Sequence, residues 1–175
     1  MDILELIQGR RSIRAYKPDH VSEDTLRSLV LDAGIWAPSG GNAQAWRFAI
    51  ITNSELLLKI QLISPGLMGN APAVIAICQD MAVRAHKGGD LGRDYLSIAD
   101  SSMAAQNIML AAHALGLGTC AIASFHRRGM QQILGLPAEI VPMLLLSVGI
   151  PAQPARAPTR EKDVMWFNEY PKSAD

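Results

Sequence analysis

Apolar residues recur at helical spacing from the start of the chain, with Ile3, Leu4, Leu6 and Ile7 inside residues 2–8. Gly9 is a natural stop, so a short amphipathic helix is expected there. Residues 10–18 lose the pattern and read as irregular and basic. Ser22 suits an N-cap with Glu23 in the first turn, and Leu26, Leu29, Val30 and Ala33 continue a helix towards Trp36. Residues 38–44, PSGGNAQ, have loop composition. Residues 47–52 read as a strand, Asn53 or Ser54 caps a helix over 55–62, and 65–72 is a Gly/Pro-rich loop. The unbroken apolar run 73–78 reads as a buried strand. Residues 81–92, which include His86-Lys87-Gly88-Gly89-Asp90, are expected to form a mobile surface loop. The helix expected over 95–115 is apolar on most of its circumference, which suits a core or an interface, and Gly116 and Gly118 close it. A strand over 119–123, a helix over 127–134 and a strand over 143–148 complete the set. Four or five strands, mostly separated by helices, predict an α+β fold.

From Pro151 onward the pattern stops. The segment is rich in proline, yet it carries Val164, Met165, Trp166, Phe167 and Tyr170. Apolar side chains with no core of their own need a surface, and a second subunit is a reasonable one.

Composition narrows the class. The 175 residues are 49% hydrophobic and 18% charged, enough for one domain with a real core and the opposite of a disordered chain. Sixteen basic residues balance sixteen acidic ones, so nothing favours nucleic acid or an anionic membrane as a partner. Cys78 and Cys120 sit in apolar stretches, which predicts buried, reduced thiols. The first ten residues lack the basic and long apolar regions of a signal peptide. The apolar run 101–118 is interrupted by Gln106, Asn107 and His113, as in a buried helix and unlike a membrane span. A cytoplasmic protein is the expectation.

Three segments could carry chemistry. In Arg10-Arg11-Ser12-Ile13-Arg14, three guanidinium groups and a hydroxyl make a concentrated anion site, with a solvated basic turn as the competing reading. In residues 37–46, Ser39, Asn42 and Gln44 offer donors and acceptors on a loop that Gly40-Gly41 allows to approach a ligand closely. It is not a phosphate-binding P-loop, since Gly-x4-Gly-Lys is absent. The third, Leu115-Gly116-Leu117-Gly118-Thr119 leading into 120–124, lacks the strand-before-helix context of a dinucleotide fold. The four histidines, 20, 86, 113 and 126, show no metal-ligand spacing, and there is no Gly-x-Ser-x-Gly elbow for a serine hydrolase. The lack of an acid/base set suits an enzyme whose cofactor carries the chemistry.

In this order and spacing the segments resemble the nitroreductase family. RRSIR resembles its Arg-Arg-Ser-x-Arg element, and APSGGNAQAWRF its Ala-Pro-Ser-x-x-Asn-x-Gln-Pro-Trp-x-Phe element. SSMAAQNIMLAAHALGLGTCAI is similar to its central helix, turn and strand, and SVGIPAQ to its Gly-x-Pro strand end. The resemblance runs from about residue 2 to about residue 165. It implies helices flanking a mainly antiparallel sheet, and a homodimer with two FMN sites at the interface. It also implies one FMN-binding domain over 1–150, and a domain-swapped extension over 151–175 that wraps the partner subunit.

The resemblance assigns residues as well. Arg10 would bind the FMN phosphate with Arg160 as second cation, and Arg11 and Ser12 would hold the phosphate and ribityl region. Arg14 would lie by N1 and O2 of the flavin as an electrostatic stabiliser. Pro38, Ser39, Gly40 and Asn42 of the other subunit would cover the ring, with Gln44 nearby. Ala121 and Ile122 would pack on one flavin face, and a backbone N–H of Ala123 or Ser124 would reach N5. No side-chain nucleophile and no metal are expected. The implied reaction is ping-pong: hydride from NAD(P)H to flavin N5, then to a small electrophile such as a nitroaromatic, quinone or enone. A flavin-consuming or dehalogenating enzyme on the same scaffold, or a non-catalytic flavin-binding protein, are the alternatives. Two departures stand out: Ala45 replaces the family's proline, which predicts a looser loop, and the short chain leaves little room for an extra helical insertion over the substrate.

Overall fold

The computed structural model describes residues 2–169. Tyr170, counted above with the tail, and the rest of 170–175 lie outside the described residues. Helix α1 (Ile3–Gly9) starts at a capping box between Asp2 and Glu5, and α2 (Glu23–Ser28) starts at Ser22, whose side chain accepts the Thr25 N–H. A wide π-type turn (Leu29–Ala33) and a 3-10 turn (Gly34–Trp36) continue α2, so the helix expected up to Trp36 changes its winding on the way. Next come a 3-10 turn (Gly40–Asn42), β1 (Trp46–Ile51), α3 (Ser54–Leu62) capped by Asn53, and β2 (Ala73–Asp80). Then follow α4 (Met81–Leu91), a second π-type turn (Gly92–Leu96) and α5 (Ser97–Ala114). The chain closes with β3 (Gly118–Ile122), α6 (Arg127–Leu134) and β4 (Ile140–Gly149).

The four strands form one antiparallel sheet in the order β1-β2-β4-β3. Alternation along the central strands feeds two cores. Ala73, Ile75, Ile77, Leu146 and Val148 pack on α2 and α5. Val74, Ala76, Cys78 and Leu145 pack on the other face with residues of α3 and α6. This is why residues 73–78 read as a continuous apolar run: both faces of β2 are covered. β4 begins three residues before the expected strand, running through Pro142. The register shifts between Ile77 and Cys78, beside Pro142, and a bulge tolerates the missing proline N–H.

One expectation is overturned. Residues 81–92 are not a surface loop but helix α4 and the start of the turn after it. The Asp80 side chain accepts the Val83 N–H at 3.2 Å and caps the helix, and Arg84 on its inner face is fully buried. The Gly88-Gly89 pair produces only a kink, with Gly89 at φ 54° and ψ −138°.

Several apolar side chains are left exposed among the described residues. Helix α1 buries none of its residues, and Ile3, Leu4, Leu31, Trp36, Tyr95 and Ile98 are exposed. The described tail crosses back past residues 15–17, through Lys17 N–H to Ile150 O and Ala152 N–H to Ala15 O. Beyond Pro151 it has no regular element and lies exposed through residue 169. Among the described residues no helix is long and apolar enough to cross a membrane.

Candidate functional site

The RRSIR segment is held between the end of α5 and edge strand β3. A β-carbon at Gly9 would sit 2.9 Å from His113 Nε2, so the chain crosses the last turn of α5 closely. Ser12 bridges Thr119 in parallel, and the Ile13 N–H donates to Thr119 O at 2.9 Å. Ile13 is buried over Gly118, where a β-carbon would lie 2.7 Å from the Ile13 side chain. Tyr16 fixes the segment from the other side. Its hydroxyl donates to Ile13 O at 2.5 Å and shares a 2.7 Å hydrogen bond with Ser147 Oγ. Burial pushes the Tyr16 phenol up to about 12, so the group keeps its proton.

The three arginines do not act alike. Arg11 turns back: its Nη1 donates to Gln8 O at 2.5 Å and Arg10 O at 2.8 Å, which supplies the cation that the C-terminal turn of α1 lacks. Arg10 is half-buried in a cleft of about 290 Å³ lined also by Arg11, His113, Gly116 and Gln153. Ser12 and Arg14 are exposed. Among the described residues neither Arg10 nor Arg14 has a carboxylate at ion-pairing distance. Two uncompensated cations therefore flank an exposed hydroxyl.

Two further segments meet this turn. The end of β3 contributes Ala121, Ala123 and Ser124, all exposed. Ile122 lies on the opposite face of the strand and is buried in the α3/α6 core. Ala121 and Ile122 alternate across the pleat, so only Ala121 presents itself to a ligand, a correction to the pairing implied above. The loop 65–72 is the second neighbour, a residue set missed in the sequence. A β-carbon at Gly66 would overlap Ser124 Oγ, and one at Gly69 (φ +73°) would overlap the Arg14 carbonyl oxygen. Both glycines permit backbone contact that a side chain forbids. A Gly/Pro-rich loop shows its flexibility in the sequence, but not what it lies against.

The PSGGN loop is built separately. Asn42 N–H donates to Ser39 O at 2.8 Å, Gln44 N–H to Ser39 Oγ at 3.1 Å, and Gln44 Nε2 to Asn42 Oδ1 at 3.0 Å. Asn42 and Gln44 both hold left-handed backbone, φ 48° and 49°, strain that a surrounding structure must fix. That surrounding is charged and buried. Gly40 N–H reaches Asp100 Oδ1 and Oδ2 at 3.2 and 3.3 Å, and Arg84 Nη1 donates to Gly40 O at 3.2 Å. Arg84 and Asp100 form an ion pair with both side chains fully buried. Burial lowers the Arg84 pKa, yet a guanidinium remains charged in proteins. Ala45 is buried and its carbonyl accepts the Asp80 N–H at 2.8 Å, so the loop is pinned rather than loose at the position where proline is absent. The sequence signal for this cluster was Asp100, the single acid of helix α5.

The two halves stand at opposite ends of one helix. Gly40 is tied to Asp100 in the first turn of α5, and Gly9 touches His113 in its last. Those residues are separated by roughly 20 Å at 1.5 Å rise per residue. Arg160 is on the exposed tail and has no ion pair among the described residues.

The chain is a single-sheet α+β domain with a cationic turn and a polar loop at opposite ends of α5. The nitroreductase family profile matches residues 7–64 and 57–150. A candidate NADH dehydrogenase/NAD(P)H nitroreductase of Methanothermobacter thermautotrophicus is 33% identical over 159 residues, covering 87% of this chain and 79% of that protein. The solved structure of a candidate NADH dehydrogenase/NAD(P)H nitroreductase from Parabacteroides distasonis shares 28% identity at a TM-score of 0.81, covering 95% of this chain and 98% of the other. A candidate nitroreductase from Exiguobacterium sibiricum, solved in complex with FMN, has the same fold at 22% identity and a TM-score of 0.84, covering 96% and 98%. The chain belongs to the nitroreductase family and is an oxidoreductase.

Proposed function

We propose that this protein is a homodimeric FMN-dependent oxidoreductase that takes electrons from NAD(P)H and passes them to a small electrophile such as a nitroaromatic, quinone or enone. The observation that carries the reading is the pair Arg10 and Arg14, neither with a carboxylate partner among the described residues, around Ser12 on a turn fixed to β3. The residues present fit the cofactor. An anionic phosphate suits Arg10, and Arg160 is the second cation that the resemblance implies, supplied by the tail. The small exposed residues Ala121 and Ala123 leave room for a flat ring. The Ala123 and Ser124 N–H groups lie past Ile122, the last residue of β3 paired with β4.

Bound FMN would supply the two-electron chemistry; the chain supplies its setting. Arg10 binds phosphate by charge-assisted hydrogen bonds. Ser12 contributes a hydroxyl to the ribityl region, while Arg11 is mainly a helix cap at the edge of the same cleft. Arg14 places a fixed positive charge at the pyrimidine edge, the kind of preorganised electrostatics that favours charge developing there. Pro38, Ser39, Gly40, Asn42 and Gln44 come from the other subunit, because α5 separates them from the Arg turn of their own chain. The exposed apolar residues of α1, the 31–36 turns and α5 supply that interface, and residues 151–175 lie across the partner as an extension of the 1–150 domain.

The experiment is an anaerobic absorbance titration of the purified protein with FMN, followed by NADH and NADPH. Uptake of FMN and bleaching of its visible band are expected. FMN uptake with no bleaching would make the protein a non-catalytic flavin binder. No uptake would sink the reading.

A further inference from the structure

Arg84 and Asp100 are fully buried, paired charges, and both stand outside the arginine turn. Taking two ions out of water is costly, and well-packed apolar residues of similar volume are often as stabilising or more so. Stability alone gives little reason to keep the pair. What the pair holds is one residue, Gly40, by the two peptide groups on either side of it. Asp100 receives the Gly40 N–H, and Arg84 Nη1 donates to the Gly40 carbonyl. Gln79 completes the set: its Oε1 accepts from Arg84 Nε at 3.4 Å while its Nε2 donates to Ser101 Oγ at 3.0 Å. Leu96 closes another side, since a β-carbon at Gly40 would lie 2.7 Å from its Cδ1. A residue whose flanking peptides are gripped by opposite charges, one from α4 and one from α5, is fixed in place and in orientation.

We propose that Arg84 and Asp100 are positioning residues, which clamp Gly40 so that Ser39, Asn42 and Gln44 are held ready to cover the flavin bound by the partner subunit. The inference rests on the flavin reading above. It explains why the left-handed Asn42 and Gln44 persist: the clamp next to them sets the path of the loop. It also gives residues 81–96 a role. They support the half-site from behind, and Lys87 adds a 3.4 Å hydrogen bond to Asn42 O.

The test measures the FMN dissociation constant, the quenching of flavin emission and the melting temperature in three proteins: the wild type, Arg84→Met/Asp100→Leu and Arg84→Lys. A wild type that takes up no FMN overturns the flavin reading, and this inference with it. Given wild-type binding, the apolar pair is expected to melt within a few degrees of the wild type, yet to bind FMN at least about tenfold more weakly and quench it less. A folded apolar pair with wild-type affinity and quenching overturns the inference while leaving the flavin reading intact. Arg84→Lys decides the matter if the apolar pair does not fold. Its ammonium keeps a charge beside Asp100 but lacks the planar fork that also reaches Gly40. The expected loss is about fivefold in FMN affinity at nearly unchanged melting temperature, and unaltered affinity overturns the inference.

Discussion

Replacing Gly69 with alanine isolates the contact that seats Arg14. Gly69 has φ +73°, and its β-carbon would overlap the carbonyl oxygen of Arg14 and approach Ala15 Cα to 3.7 Å. Two costs follow. The left-handed conformation costs an alanine about 1–2 kcal/mol, and the overlap with rigid backbone adds roughly 1–3 kcal/mol, the usual range for overpacking. Gly135 separates the two terms. It has φ +61° with nothing within 4 Å of its β-carbon, so Gly135→Ala carries the conformational cost alone. At about 2–4 °C per kcal/mol for a chain of this size, both variants should melt early, Gly69→Ala more so. The larger difference should be in flavin binding. Gly69→Ala displaces the Arg14 backbone and weakens FMN, whereas Gly135→Ala, at the end of α6, leaves it unchanged. Calorimetry and flavin-emission titration measure the two effects. Equal melting and equal FMN affinity in the two variants would refute the reasoning.

Arg10→Ala should weaken FMN about tenfold or more, from the loss of a charge-assisted hydrogen bond, while riboflavin, which has no phosphate, binds as before; equal losses for both ligands would remove Arg10 from the phosphate. Tyr16→Phe should cost about 1–2 kcal/mol in urea unfolding, because the Ile13 carbonyl and Ser147 each lose a partner, and no change would mean that water replaces the hydroxyl. Alkaline stability should fall progressively between pH 9 and 12. Burial raises the Cys78 thiol from 9.0 to about 12 and the Tyr16 phenol from 10.0 to about 12, so the unfolded chain releases these protons before the folded one does. That stabilisation is complete below pH 9, and melting curves that stay level up to pH 12 would contradict it. Trp166→Ala/Phe167→Ala should weaken the proposed dimer, read as a higher dissociation concentration in sedimentation, and unaltered association would count against the wrapping tail.

The elements legible in the sequence were those whose pattern and caps agree. Helix 127–134 has the expected bounds, and Ser22 and Asn53 cap as their side chains predict. The run 73–78 revealed a strand covered on both faces. Residues 81–92 were misread because glycine and charge dominate their composition, whereas the Asp80 cap and the burial of Arg84 against Asp100 decide their structure. Pairing between segments distant in the chain leaves no periodic trace. For the same reason, the contacts of Gly66 and Gly69 with the Arg turn were invisible. RRSIR and PSGGN could be singled out by residue type, yet that Arg11 serves α1 and that Ile122 faces the core depend on geometry that composition does not record.

In the proposed dimer each flavin site needs two chains. Mixing Arg10→Ala subunits with Ser39→Ala/Asn42→Ala subunits tests it, since each variant damages a different half. Either variant alone should bind FMN weakly. After unfolding and joint refolding, mixed dimers carry one intact site each, so tight FMN binding should return to about one quarter of the wild-type capacity for random pairing. A mixture that binds no more FMN than the separate variants would contradict the claim.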